Sequence, residues 1–217
     1  MESISGKIII DDKIILGNLV FNNKVIKIID DKSINSENFI LPGFIDLHCH
    51  GGNGFDTMEG LESIVKLSKY HLENGTTTFF PTTVTASYDD TFKALEGLNE
   101  YINKNKFQIN IEGIHLEGPF INPNKLGAQP PITQIPNLDF IRNLQKEAPI
   151  KIMTLAPEID GGLDFIDTLI KFGIKPQLGH TLASKDICNL SIDKGVESFT
   201  HLYNAMSGFD HREPGAV

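Results

Sequence analysis

From Phe39 onward, short β-rich runs alternate with helix-length amphipathic segments. That rhythm requires a parallel sheet, because each return from one strand to the next is carried by a helix. The β-rich runs cover 39–47, 76–84, 109–116, 150–156, 175–178 and 198–202, and helices are expected near 59–73, 88–104, 137–147, 161–172 and 184–194. In the first helical stretch Leu61, Ile64, Val65, Leu67 and Ser68 show the spacing of one buried face. Gly75, Gly173 and Gly195 stand just past three of the helices, where a left-handed C-cap residue is expected. The rhythm stops after the sixth strand, and Gly208 to Val217 reads as a loop. An open doubly wound sheet could end there, whereas an eight-unit barrel needs two more units.

Residues 7–30 follow a different pattern. Lys7–Ile10, Lys13–Leu16, Asn18–Phe21 and Lys24–Ile29 are β-branched runs separated by Asp11-Asp12, Gly17 and Asn22-Asn23. These are hairpin signals of a small antiparallel sheet. A polar connection from Asp30 to Asn38 follows. The expected division is a small β domain over 1–40 and an α/β domain over 41–217.

The balance of 19 basic and 28 acidic residues, net charge −9, argues against a nucleic-acid backbone or an anionic membrane as partner. No apolar run approaches a membrane span. Met1 to Gly6 has neither the basic nor the apolar part of a secretion signal. Two cysteines, Cys49 and Cys188, cannot build a disulfide scaffold, and a reducing cytoplasm is expected.

The polar clusters gather at the C-terminal ends of the strands, where parallel α/β proteins carry their active sites. His48 and His50 are two apart, so a strand presents both imidazoles on one face and Cys49 on the other. Glu117 ends an otherwise apolar strand and must be paired, protonated, metal-bound or held by loop amides. His115 shares its face one layer deeper and is expected to be structural. His180 and His201 each follow a further strand, and either alone would pass for an ordinary core histidine. Together, four histidines and one glutamate at one end of successive strands form a ligand set suited to zinc or iron(II). Thr82 and Thr83 read as a strand-end turn, His71 and His211 as bland, and Arg142 as surface. Arg212 is one of only two arginines and lies in a loop beside the last strand. It suits a phosphate or carboxylate, or an ion pair with Asp210 or Glu213.

Leu41-Pro42-Gly43-Phe44-Ile45-Asp46-Leu47-His48-Cys49-His50-Gly51 resembles the first-strand signature of the amidohydrolase superfamily. His115-Leu116-Glu117-Gly118-Pro119-Phe120, Gly179-His180-Thr181, Thr200-His201-Leu202-Tyr203-Asn204-Ala205-Met206 and Arg212-Glu213-Pro214-Gly215 resemble the N-acetylglucosamine-6-phosphate deacetylase family within it. The resemblance implies a TIM-type (β/α)₈ barrel, here about six of eight units, with part of a small β-sandwich. It implies hydrolysis of the acetamide of N-acetylglucosamine 6-phosphate to glucosamine 6-phosphate and acetate. It also implies one or two divalent metals, zinc or iron(II), and a homodimer. By the same resemblance Glu117, His180 and His201 match the main metal ligands, and His48 and His50 match a second pair, with Glu117 bridging. Ala128, Gln129, Asn204, Ala205 and Arg212 fall where the family contacts the sugar phosphate, although many relatives have histidine where this chain has Gln129.

The family's general base, an aspartate, is expected beyond Val217, so the chain by itself is expected to bind metal without turnover. Asp46 is expected to face away from the histidine pair. The rival readings are another amidohydrolase-type enzyme, such as a cyclic amidase or deaminase, and a non-catalytic segment that binds metal or a sugar phosphate.

Overall fold

A computed structural model describes residues 1–104 and 109–217, which form two compact units, Met1–Phe44 and Ile45–Val217. In the first, β1 (Glu2–Ile10), β2 (Lys13–Phe21), β3 (Val25–Asp30) and β4 (Phe39–Ile40) make one sheet of order β3-β2-β1-β4. The first three strands pair antiparallel and β4 joins β1 in parallel. The described residues hold one layer here, so a two-layer sandwich is not seen. Gly17, expected to separate two strands, lies inside β2 opposite Gly6. A Cβ there would sit 2.2 Å from the Ile29 carbonyl oxygen, so the close pass of β3 demands glycine.

The expected run 39–47 is divided. Phe39–Ile40 belongs to the first sheet, and only β5 (Phe44–Cys49) enters the second. Pro42, which has no N–H to donate, and Gly43 lie in the break. A small hairpin of β6 (Gly51–Gly52) and β7 (Phe55–Asp56) follows. It leads through a 3₁₀ turn, Thr57–Glu59, into helix α1 (Leu61–Glu73). Asp56 and Glu59 form a capping box at that turn.

Then come β8 (Thr76–Thr83), α2 (Tyr88–Asn103), β9 (Ile114–Glu117), α3 (Leu138–Glu147) and β10 (Ile150–Leu155). The chain continues through α4 (Gly162–Lys171), β11 (Lys175–Leu178), α5 (Lys185–Asp193) and β12 (Ser198–Phe199). The sheet order is β12-β11-β10-β9-β8-β5, with parallel pairing from β8 to β12. These are six strands of the expected TIM-type architecture.

Local sequence accounts for the helices. Ser87, Asn137 and Ser184 cap α2, α3 and α5 through their side chains. Gly75, Gly173 and Gly195 have φ of 90°, 72° and 109°, the left-handed stop that their spacing predicts. Ile64, Leu67 and Ser68 of α1 are buried as expected. Ile64 and Leu67 join Leu95, Leu98, Ile141, Leu144, Ile166 and Leu169 of later helices over Phe79, Leu116, Met153, Leu155 and Leu178 of the sheet. Each such side chain contributes about 1.5–3 kcal/mol on burial.

β12 stops at Phe199, short of the expected 202, while β9 begins only at Ile114 and runs to Glu117. His180 and His201 lie in the turns after β11 and β12, with φ of 49° and 35°. No helix among the described residues is long and apolar enough to cross a membrane.

Candidate metal centre

Glu117, the last residue of β9, is 1% exposed and lies at the middle of four imidazoles. Its Oε1 is 3.1 Å from His180 Nε2 and 3.1 Å from His201 Nε2. Its Oε2 is 2.9 Å from His50 Nε2, and His48 Nε2 stands 3.8 Å from Oε1. The rings approach one another as closely: His48 and His50 Nε2 atoms are 3.2 Å apart, and those of His180 and His201 are 3.1 Å apart. Two groups that could hold a cation result, His48–His50–Glu117 and Glu117–His180–His201, each with its ligand atoms within 4.8 Å of one another. Glu117 is common to both.

The backbone dictates the tautomer of two of these rings. His50 Nδ1 lies 3.1 Å from the Thr82 carbonyl oxygen, and His180 Nδ1 lies 2.8 Å from that of Lys125. A carbonyl oxygen only accepts, so both Nδ1 atoms carry hydrogen. In the neutral ring Nε2 then presents a lone pair, and here it faces a carboxylate oxygen that also only accepts. A proton on the ring or a cation between the partners reconciles that geometry. The donor set therefore fits a borderline divalent metal.

Electrostatics follow the same logic. Burial alone would raise the Glu117 carboxyl, but hydrogen bonds from His180, His201 and His50 outweigh it and hold the group below the ordinary carboxylate range. The hydrogen bond to Glu117 pushes His201 up. For His50, burial opposes, but the hydrogen bond and charge of Glu117 prevail and the net shift is upward. Burial dominates at His48 and lowers it. His115 is fully buried, with Nδ1 2.8 Å from the Leu47 carbonyl oxygen and Nε2 2.6 Å from Thr154 Oγ1. Burial pushes its pKa down to about 4. Both ring nitrogens are thus occupied by structural partners, as its deeper position predicts.

The other expected residues divide. Gln129 is 8% exposed and reaches Glu117 itself, with Nε2 2.5 Å from Oε2. Ala128 and Asn204 are exposed. Ala205 belongs to the turn after β12, and an added Cβ on Gly127 would lie 3.6 Å from both Ala205 Cβ and His180 Cε1, so those segments converge beside His180. Arg212 is exposed and lines a groove with Ser184, Ser207 and Glu213 that contains none of the five clustered residues. Asp210 Oδ1 accepts from the backbone N–H of Arg212 and Glu213, at 2.7 and 2.9 Å. Strand alternation alone would put Asp46 on the face of His48 and His50. Its Oδ1 instead accepts from His48 N at 3.0 Å, and its carboxylate groups with Cys49 and His71.

Three supports escaped the sequence reading. Thr82, taken as a simple turn residue, accepts from Cys49 N at 2.9 Å and holds His50 through its carbonyl. His71, taken as bland, is 3.0 Å from Cys49 Sγ and stacks on Phe79 at 4.9 Å. Glu158 accepts from Asn122 Nδ2 at 2.8 Å and from Leu182 N at 2.5 Å, and also takes the Thr181 hydroxyl, bracketing His180. Only the carboxylate at the end of an apolar run, just after β10, hinted at that last role.

Known proteins resemble the chain along its length. N-acetylglucosamine-6-phosphate deacetylase of Bacillus subtilis (strain 168) is 39% identical over 189 residues, covering 84% of this chain and 48% of that protein. The crystal structure of N-acetylglucosamine-6-phosphate deacetylase from Thermotoga maritima superposes with a TM-score of 0.89 at 28% identity, covering 99% of this chain and 58% of that one. An aspartate-to-alanine mutant of the Mycobacterium smegmatis enzyme, in complex with N-acetyl-D-glucosamine-6-phosphate, superposes with a TM-score of 0.84 at 29% identity, covering 96% and 57%. The chain spans about half the length of the curated relatives it matches. A model of the amidohydrolase family matches residues 39–214, and on that match, the fold and the His/Glu cluster the chain belongs to the amidohydrolase family.

Proposed function

We propose that this chain carries the metal centre of an N-acetylglucosamine-6-phosphate deacetylase, which hydrolyses the acetamide of N-acetylglucosamine 6-phosphate to glucosamine 6-phosphate and acetate. The observation that carries the metal reading is the pair of backbone-locked imidazoles whose Nε2 lone pairs face Glu117. The names of the relatives support the substrate. A divalent cation, zinc or iron(II), held here would supply Lewis acidity to an amide carbonyl and make water more acidic.

In this reading Glu117, His180 and His201 would hold one cation, and His48 and His50, with Glu117 shared, would hold a second. The Thr82 and Lys125 carbonyls keep the ligating nitrogens free of hydrogen. Ala128, Asn204 and Ala205 line the sugar side, and Arg212 takes the phosphate with its planar fork. The proton relay belongs to an aspartate that the family resemblance puts outside these 217 residues. A homodimer follows from the same resemblance. A cytoplasmic location fits two free, buried cysteines.

The test is metal analysis together with acetate release by the protein carrying this chain. N-acetylglucosamine 6-phosphate, its unphosphorylated form and the galactosamine epimer are compared. Bound zinc or iron with preference for a phosphorylated sugar is expected. Absence of transition metal after loading, or equal turnover of the unphosphorylated sugar, overturns the proposal.

A further inference from the structure

Gln129 is buried beside the centre, and both ends of its amide are committed. Its Oε1 accepts from Thr85 N at 2.6 Å, and its Nε2 donates to Glu117 Oε2 at 2.5 Å. A backbone N–H only donates and a carboxylate only accepts, so the amide has one permitted orientation. The terminal torsion of a glutamate is broad and would leave its carboxylate plane loosely defined. A carboxylate shared by two cations can present one oxygen to each. Here His180 and His201 take Oε1, while His50 and Gln129 take Oε2. Gln129 N also donates to the Leu126 carbonyl oxygen at 2.9 Å, in the same turn whose Lys125 carbonyl orients His180.

We infer that Gln129 is a positioning residue that holds Glu117 Oε2 toward His50 and so decides whether the second cation, at His48 and His50, is retained. The inference rests on the metal reading above and assigns Gln129 to the carboxylate rather than to the sugar. Two effects compete at Oε2. A hydrogen bond draws electron density from a ligating oxygen and weakens it as a donor, whereas fixing the carboxylate plane spares the cost of ordering it when the cation binds. If orientation prevails, removing the amide weakens the second site. If withdrawal prevails, removal strengthens it. Outer partners of metal ligands typically change affinity 10–100-fold.

The experiment is a stepwise zinc titration against a chromophoric chelator, with cobalt(II) absorption spectra to report each coordination geometry. Wild type is compared with Gln129→Ala and Gln129→Glu. The glutamate variant keeps the volume and an acceptor for Thr85 N, but turns an acceptor toward Glu117. Wild type is expected to take two zinc ions. Gln129→Ala should weaken the looser one about 10–100-fold, with the tighter site and its cobalt spectrum unchanged, and Gln129→Glu should weaken it further. Should the alanine variant fail to fold, the glutamate variant decides alone. Equal loss at both sites, no loss, or tighter binding overturns the inference, as does a wild type that takes a single zinc. A wild type that takes none sinks the metal reading itself and the inference with it.

Discussion

His180 donates through Nδ1 to the carbonyl oxygen of Lys125, 55 residues away in sequence, at 2.8 Å, and its Nε2 is thereby turned on Glu117. The second ring locked in this way, His50, answers to the carbonyl of Thr82. Neither contact involves a catalytic side chain as partner, yet together they decide which nitrogen atoms are free to ligate.

On the proposed metal reading a divalent cation competes with protons for these rings, which sets a pH dependence. In the metal-free chain the Glu117 hydrogen bond raises His201, and Glu117 prevails over burial to raise His50. A raised folded value means stability from the charged pairs that is fully present below the unfolded imidazole value and lost as pH climbs through the folded one. Zinc displaces those protons, so apparent affinity rises with pH across that window. Calorimetry in two buffers of different ionisation enthalpy should count net proton release on zinc binding near pH 7. Zero release contradicts the assignment.

His115 gives a stability effect of opposite sign. Burial holds its folded pKa at about 4, below the unfolded imidazole. Between roughly pH 6.5 and 4 the unfolded chain takes a proton that the folded chain refuses, so stability falls as pH falls, by on the order of 3 kcal/mol. Urea midpoints of wild type and a His115→Asn variant should therefore converge as pH drops from 7 to 4. Parallel curves would rule out a neutral buried ring.

Burial pushes the Cys49 thiol up to about 11. At pH 8 its thiolate fraction is about 100-fold below that of an ordinary cysteine. A disulfide reagent at that pH should label Cys49 only after denaturation. Rapid labelling of the native chain would contradict the packing of β5 against α1.

Glu158 gathers donors from Asn122, Thr181 and Leu182. Glu158→Gln keeps the shape but sets an N–H against one of those donors, a mismatch that costs about 1–3 kcal/mol. A lower urea midpoint with weaker retention of a cation at the proposed Glu117–His180–His201 site is expected, because Asn122 N also holds the His180 carbonyl at 2.9 Å. Unchanged metal retention would restrict Glu158 to a folding role.

Arg212→Ala tests the phosphate assignment. Charge-assisted hydrogen bonds contribute about 1.5–3 kcal/mol, so KM for the phosphorylated sugar should rise roughly 10–100-fold with kcat changed less. Steady-state kinetics on phosphorylated and unphosphorylated sugars read this directly. A variant that keeps its preference for phosphate removes Arg212 from the site.

Much of this is legible in the amino-acid sequence. Helical periodicity located α1 to α5 within a residue or two of their ends, and Gly75, Gly173 and Gly195 marked the stops of α1, α4 and α5, because both signals are local. Strand limits were less legible. The apolar run 39–47 hid a change of sheet at Pro42-Gly43. Gly17 looked like a break because its reason for being glycine is the passage of Ile29 from another strand. Alternation placed His48 and His50 together; Asp46 turns away from them as expected, although alternation would put it on their face, because its carboxylate is captured by the backbone of His48.

Order along the chain determined that four imidazoles and a glutamate would meet at one end of a parallel sheet, since strand direction and helix returns leave no other arrangement. Tertiary structure alone decided their tautomers, the commitment of Gln129 to Glu117, and the bracket that Glu158 builds around His180. The physical reason is range. Periodicity and capping act within a turn or two of chain, while these hydrogen bonds join residues 12 to 55 positions apart and exist only once the sheet has brought them within 3.1 Å.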